Sequence, residues 1–199
     1  SKETGGISQY DFNVSFNIED RVYLGATLGV YDVNYDRYTS YTENLNDDKG
    51  ADNGGYTLDN YYRLEGTGMD LKLGVIVRPI ESSPFRLGFA VHTPTWYDLR
   101  ESYNATLSSD ILAYEKPYIQ TLSDFLVTPE YDYLTYDYNL TTPWKFNVSA
   151  GTTFAGAVAV GAEYEYQDYS SIRLYYPEGD EMGYENSTIK EMLKGVSTF

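Results

Sequence analysis

The sequence predicts an all-β protein, an antiparallel up-and-down sheet of the transmembrane β-barrel class. Three observations predict it. Apolar and polar residues alternate strictly through six separate segments. The connections between those segments are tight and long by turns. Tyrosine is in large excess, 23 of 199 residues, while cysteine is absent. A two-residue period marks a strand with one greasy face and one wet face. Tyrosine, an apolar ring with a polar tip, suits sheets and membrane–water boundaries.

The first strand, about 7–18, sets Tyr10, Phe12, Val14, Phe16 and Ile18 against Asp11, Asn13, Ser15 and Asn17. The second, about 21–33, sets Val22, Leu24, Ala26, Leu28 and Val30 against Tyr23, Gly25, Thr27, Gly29 and Tyr31. Met69, Leu71, Leu73, Val75 and Val77 mark the third, about 68–79, and Phe85, Leu87, Phe89 and Val91 the fourth, about 85–94. The fifth, about 144–154, carries Trp144, Phe146, Val148 and Ala150; the sixth, about 157–169, carries Val158, Val160, Ala162, Tyr164 and Tyr166. A weaker seventh spans about 188–199. All are read as one segment covering 1–199.

Glu19-Asp20, Ile80 to Pro84 and Ala155-Gly156 are tight connections, whereas 34–67, 95–143 and 170–187 are long. Compact soluble domains mostly connect their elements through about 4–6 residues. Strict alternation of short and long places every tight turn at one end of an up-and-down sheet. That asymmetry belongs to outer-membrane barrels, with short periplasmic turns and long extracellular loops. A tilted membrane-crossing strand needs about 9–11 residues, which these segments supply. Aromatics gather where strands meet loops, at Tyr31, Tyr35, Trp96, Tyr97, Trp144, Tyr164, Tyr166 and Tyr169, as interfacial girdles do. A soluble β-sandwich shows the same alternation about a shared core and stays open as the alternative, with the tyrosines then stacking on sugars.

Thirty acidic against 14 basic residues give a net charge of −16, which argues against phosphate-backbone binding and so against nucleic acid as partner. Without cysteine, and with His92 as the single histidine, no thiol chemistry, thiolate metal site or histidine-based metal site is expected. No run of about 20 apolar residues is present, so no transmembrane helix is expected. Glu163 and Glu165 share one face of their strand, but no context marks them as an acid/base pair. NDDKGADNGG lacks the spaced ligands and terminal Glu of a calcium loop. The expectation is therefore a protein without catalytic residues, cofactor or metal. Ligand-binding candidates are Arg86 and His92, on the polar face of the fourth strand and suited to a carboxylate. To these are added Ile111, Leu112, Tyr114 and Tyr118 in the second long loop, whose partly helical apolar spacing suits substrate capture.

The stretch GMDLKLGVIVRPIESSPFRLGFAVHTPTWYDL, Gly68 to Leu99, resembles the FadL/TodX family of outer-membrane transporters for long-chain fatty acids and other hydrophobic compounds. The likeness is to its Bacteroidetes-type branch, often labelled hemin receptor. YNLTTPWKFNVSAGTTF, Tyr138 to Phe154, and AVGAEYEYQDYS, Ala159 to Ser170, are similar to the same family. The resemblance implies a fourteen-stranded barrel plugged by an N-terminal hatch, with substrate captured by apolar extracellular loops and passed down the lumen. It further implies residence in the bacterial outer membrane, among lipid and lipopolysaccharide, and passive uptake of a hydrophobic small molecule. About seven strands and no hatch are legible, so the chain is expected to be a central portion of such a barrel. An outer-membrane docking or adhesion protein using the Tyr-rich acidic loops is the competing expectation.

Overall fold

The computed structural model describes residues 1–46, 50, 52–111, 118–121, 134–154 and 157–199. Its elements are β1 (Lys2–Ile18), β2 (Val22–Asn46), β3 (Asp52–Val77), β4 (Arg86–His92), β5 (Trp96–Ser109), β6 (Tyr118–Thr121), β7 (Leu134–Thr141), β8 (Lys145–Phe154), β9 (Val158–Asp168), β10 (Arg173–Tyr175), α1 (Gly183–Met192) and β11 (Gly195–Thr198). The protein is thus all-β and antiparallel, with one short α-helix among the described residues. Strands are ordered β10-β7-β5-β3-β4-β8-β9-β11, with β2 on β3, β1 on β2 and β6 on β5. Among the described residues the closure that a barrel requires is not present: β1 pairs with β2 alone and β11 with β9 alone, so the sheet they form is open.

The alternating segments form strands for the reason that predicted them, and the first turn shows how tightly they are joined. Glu19 and Asp20 both take positive φ, 51° and 52°, and Arg21 N–H donates to the Ile18 carbonyl at 3.0 Å. Two successive left-handed residues make the hairpin turn whose twist matches that of the flanking strands. Asn17 Oδ1 accepts from the Asp20 N–H at 3.1 Å, fixing the second of them. The turn expected at Ala155-Gly156 lies outside the described residues.

Where long loops were expected, much of the chain is strand. β2 continues to Asn46 and β3 begins at Asp52, so most of 34–67 is a two-stranded ribbon. Its residues are polar on both faces, which erases the alternation, but Tyr and Thr are good strand formers. Tyrosines pair across it: Tyr38 with Tyr61 at 4.8 Å between ring centroids, Tyr41 with Tyr56 at 6.0 Å, Tyr35 with Tyr62 at 6.1 Å. Likewise β5, β6 and β7 occupy parts of 95–143, and a 3-10 turn at Tyr169–Ser171, β10 and the start of α1 fill 170–187. The expected seventh strand is helix through Met192, with strand only at Gly195–Thr198.

The chain divides into two compact units. One comprises Ser1–Ile7, Val33–Gly66 and Leu99–Asp137; the other comprises Ser8–Asp32, Thr67–Asp98 and Tyr138–Phe199. In the first, Arg63 pairs with Asp36 at 2.7 Å and Arg100 grips both carboxylate oxygens of Asp137 at 2.6 and 3.0 Å. The second is built on the registers Leu73↔Val91, Phe89↔Val148 and Phe146↔Tyr166, which put the expected apolar residues of β3, β4, β8 and β9 on one face. No large side chain among the described residues is fully buried, and the buried apolar residues are only Val33, Leu99 and Met182.

Two prolines interrupt the strands of this second unit together. His92 faces Lys145 in register, so Pro94 and Pro143, two positions on, also stand opposite each other. Neither has an N–H to give. Threonines beside them take over the stitching. Thr93 N–H donates to Leu71 O at 2.9 Å, and its hydroxyl accepts from Leu71 N–H at 3.0 Å. Thr142 N–H donates to Thr95 O at 3.0 Å, and its hydroxyl accepts from Thr95 N–H at 2.7 Å. The TPT and TPW sequences are thus the chemistry of one seam.

Candidate functional site

The polar face of the second unit carries the charge. Lys72 stands directly opposite His92, and His92 directly opposite Lys145, so three basic groups cross three adjacent strands in a row. Carboxylates flank the row at both ends. Lys72 Nζ lies 3.3 Å from Asp11 and 3.9 Å from Asp70, and Lys145 Nζ lies 2.8 Å from Glu165. Asn147 donates to Glu163 at 2.6 Å and to Glu165 at 3.1 Å, so those two carboxylates are held in a cross-strand ladder.

Asp70 is the most deeply placed of these groups, with its side chain 6 % exposed. One carboxylate oxygen accepts from the Tyr31 hydroxyl at 2.7 Å and the Thr95 hydroxyl at 3.3 Å; the other has no hydrogen-bond partner. Gly29 makes room for it, since a Cβ there would meet Asp70 Oδ1 at 2.4 Å and Asp11 Oδ1 at 3.3 Å. Gly68 does the same for Tyr97, whose ring would stand 2.4 Å from an added Cβ and packs on Tyr31 at 5.7 Å. An ionised carboxylate buried like this is tolerable only with charge and hydrogen-bond partners around it. Lys72 supplies the charge and the two hydroxyls supply the bonds.

The sequence-derived candidates fall in three places. His92 sits half-buried between the two lysines. Arg86 is exposed on the same face of β4, opposite Gly151, with its guanidinium 5.9 Å from the Tyr23 ring centroid. Six residues of strand separate them, about 20 Å, so they do not form one site. Ile111 follows the end of β5, its N–H donating to Ser109 Oγ at 3.4 Å. Leu112 and Tyr114 lie outside the described residues, and Tyr118 opens β6 opposite Ser109. Sequence reasoning missed Asp70, Tyr31 and Thr95, because only the register shows that they converge. The signal available was an acid in the strand segment MDLKLG, one residue from its apolar face.

A groove of about 620 Å³ runs along the polar face between Lys145 and Gly88, floored by Gly74 and Ala90 and edged by Ser149 and Glu163. The apolar face has its own, of about 610 Å³, lined by Phe16, Leu24, Leu73, Phe89, Phe146 and Val148. The first unit holds a further hollow of about 440 Å³, between Tyr38, Tyr61, Tyr62, Arg37 and Arg63.

Paired tyrosines and carboxylates recur in the first unit. Tyr56 donates to Glu43 at 2.5 Å and Tyr41 does so at 3.1 Å; together they hold Glu43 below the usual glutamate range. Glu43 in turn pushes Tyr56 up to about 12. Tyr62 also rises to about 12, mainly through burial and then through Glu101. No group of three His, Cys, Asp or Glu among the described residues is placed to hold a metal. Comparison with protein-family models, with curated proteins and with solved structures finds no match.

Proposed function

We propose that this chain supplies wall strands of an outer-membrane β-barrel of the FadL/TodX type, which takes up hydrophobic small molecules such as long-chain fatty acids by passive transfer. One observation carries the reading: a continuous apolar face that the described residues leave uncovered. Tyr10, Phe12, Val14, Phe16, Ile18, Leu24, Leu28, Met69, Leu71, Leu73, Phe89, Phe146, Val148, Phe154, Val158 and Val160 all share it, each with 37–65 % of its surface exposed. Leaving a large apolar side chain half in water forfeits about 1 kcal/mol. Over this face that is on the order of 15 kcal/mol, as large as the whole stability of a typical domain. Hydrocarbon removes the penalty; water does not.

The other face fits a lumen. Charges on it are paired across strands in Asp11–Lys72–Asp70 and Lys145–Glu165, and the groove along it takes in glycine, alanine, serine and asparagine together with Tyr23, Ile76, His92 and Glu163. No described residue there sets a nucleophile beside a base, and the work we propose is binding and passage. Apolar residues of the long connections would take the solute from outside. The gradient would then drive it along the polar-faced wall, with no covalent step.

The test is fractionation of cells expressing the protein, followed by gel mobility with and without heating and mass spectrometry of co-purified lipid. The expected result is retention in carbonate-washed outer membranes, a heat-dependent mobility shift and bound amphiphile. A protein that stays in the soluble fraction, unshifted, removes the proposal.

A further inference from the structure

The hollow of about 440 Å³ in the first unit combines aromatic walls with hydrogen-bonding groups of both charges, and we infer that it binds a pyranose ring of a saccharide. Its residues come from β1, β2, β3 and β5, all within that unit. The role stands apart from the uptake proposed above, since it needs neither the apolar face nor a membrane.

Strand alternation builds the walls. Tyr38 packs on Tyr61 with 4.8 Å between ring centroids, and two residues along each strand Asp36 pairs with Arg63 at 2.7 Å. The four therefore share one face of the β2–β3 ribbon. Tyr38 is held in place, because its hydroxyl donates to Asp59 at 2.7 Å. Tyr61 is 43 % exposed, and its hydroxyl has no partner among the described residues. The electron-rich face of an aromatic ring attracts the C–H bonds on the flat side of a sugar. Tyrosine offers that area rigidly, at small entropic cost.

The rim supplies partners for hydroxyls. Arg63 reaches Asp36 Oδ1 through its Nε, which leaves Asp36 Oδ2 without a donor among the described residues. Lys2 and Glu65 also line the hollow, and neither forms an ion pair or side-chain hydrogen bond with a described residue. Each hydroxyl of a sugar both donates and accepts, so it matches a rim that holds open acceptors beside an open donor. Other ligand classes fit worse. A hydrocarbon chain would desolvate Lys2, Asp36, Arg63 and Glu65 and give them nothing in return. An anion would meet the Asp36 and Glu65 carboxylates, and a cation would meet Lys2 and Arg63. The volume lies within the range of small-molecule sites, about 300–1,000 Å³.

The test uses the full chain in lauryldimethylamine oxide, a detergent without a sugar head group, and follows binding by saturation-transfer NMR. The probes are cellotriose, maltotriose, mannotriose, chitotriose and the core oligosaccharide of lipopolysaccharide, with inorganic phosphate as competitor. Transfer to the ring protons of at least one saccharide is expected at millimolar concentration. The tightest binder among them tells a free glycan from one of the cell envelope, and either supports the inference. Tyr61→Ala should weaken that saccharide about three- to tenfold, the size of one good aromatic contact, while Tyr61→Phe retains it. Glu65→Gln, the second variant, should weaken it by a similar factor through loss of a charge-assisted bond. Circular dichroism shows that each variant keeps its sheet. No transfer to any saccharide overturns the inference. So does equal affinity of the parent and both weakened variants, which puts the saccharide elsewhere, or displacement by phosphate, which makes the ligand an anion.

Discussion

Leu73 and Ile76 lie three residues apart on β3, on opposite faces, and are exposed to nearly the same degree, 43 % and 45 %. That coincidence makes them a matched pair for asking what each face meets. Fully burying a Leu or Ile side chain yields about 1.5–3 kcal/mol, so each of these contributes roughly half of that to the sheet. If both faces meet water, lysine at either position forfeits that contribution, about 1 kcal/mol each. If the Leu73 face meets hydrocarbon, Leu73→Lys carries a further cost of about 2–4 kcal/mol for a charge near mid-membrane. The expected losses are therefore about 3–5 kcal/mol for Leu73→Lys and about 1 kcal/mol for Ile76→Lys. Urea unfolding in phospholipid vesicles, followed by tryptophan emission and by gel mobility, measures both. Losses equal within about 1 kcal/mol would refute the assignment of the apolar face to lipid.

Two other expectations follow. Glu43→Gln should bring the Tyr56 midpoint down from about 12 toward the ordinary 10, seen in phenolate absorbance during alkaline titration. The signs follow from the pair: the depressed Glu43 stabilises the fold above its unfolded value, and that support is lost as pH falls through its lowered folded one. The raised Tyr56 stabilises below about 10, and its support is lost as pH rises through about 12. Gly29→Ala should displace Asp70 and strip a buried carboxylate of its hydroxyl partners, costing about 1–3 kcal/mol. Unfolding midpoints compared with Gly25→Ala, where an added Cβ meets nothing, measure that cost specifically.

The strands that could be read from residues were those with two unlike faces. Around Leu73 or Phe146 every second residue is apolar, and the period is plain. Beyond Val33 the same strand runs on as Asn34, Tyr35, Asp36, Arg37 and Tyr38, polar on both sides, and the period disappears although the ladder continues. Tyrosine and threonine were the surviving signal, and they speak of strand without locating its end. The reverse error occurs at Thr188 to Met192, the start of the weaker seventh segment, where Ile189 and Met192 stand three residues apart, a helical step rather than a strand's, and lie in α1. The charged row was half legible. Lys72, His92 and Glu165 are visible as polar-face residues, but their grouping depends on which residue stands opposite which, and alternation does not encode that. The deep position of Asp70 depends further on the missing side chain at Gly29.

The facing prolines bear on how this sheet would come apart. A β-ladder protects its amides because each opening must break bonds on both sides of a strand. At Pro94 and Pro143 two neighbouring strands lack an amide at the same height, and threonine hydroxyls, which can rotate away, hold part of what remains. The amides of Leu71 and Thr95 depend on those hydroxyls, so they belong among the earliest in the sheet to exchange with solvent deuterium. The line they trace across three strands is a perforation, along which one part of the wall can loosen while the ladder on either side stays shut.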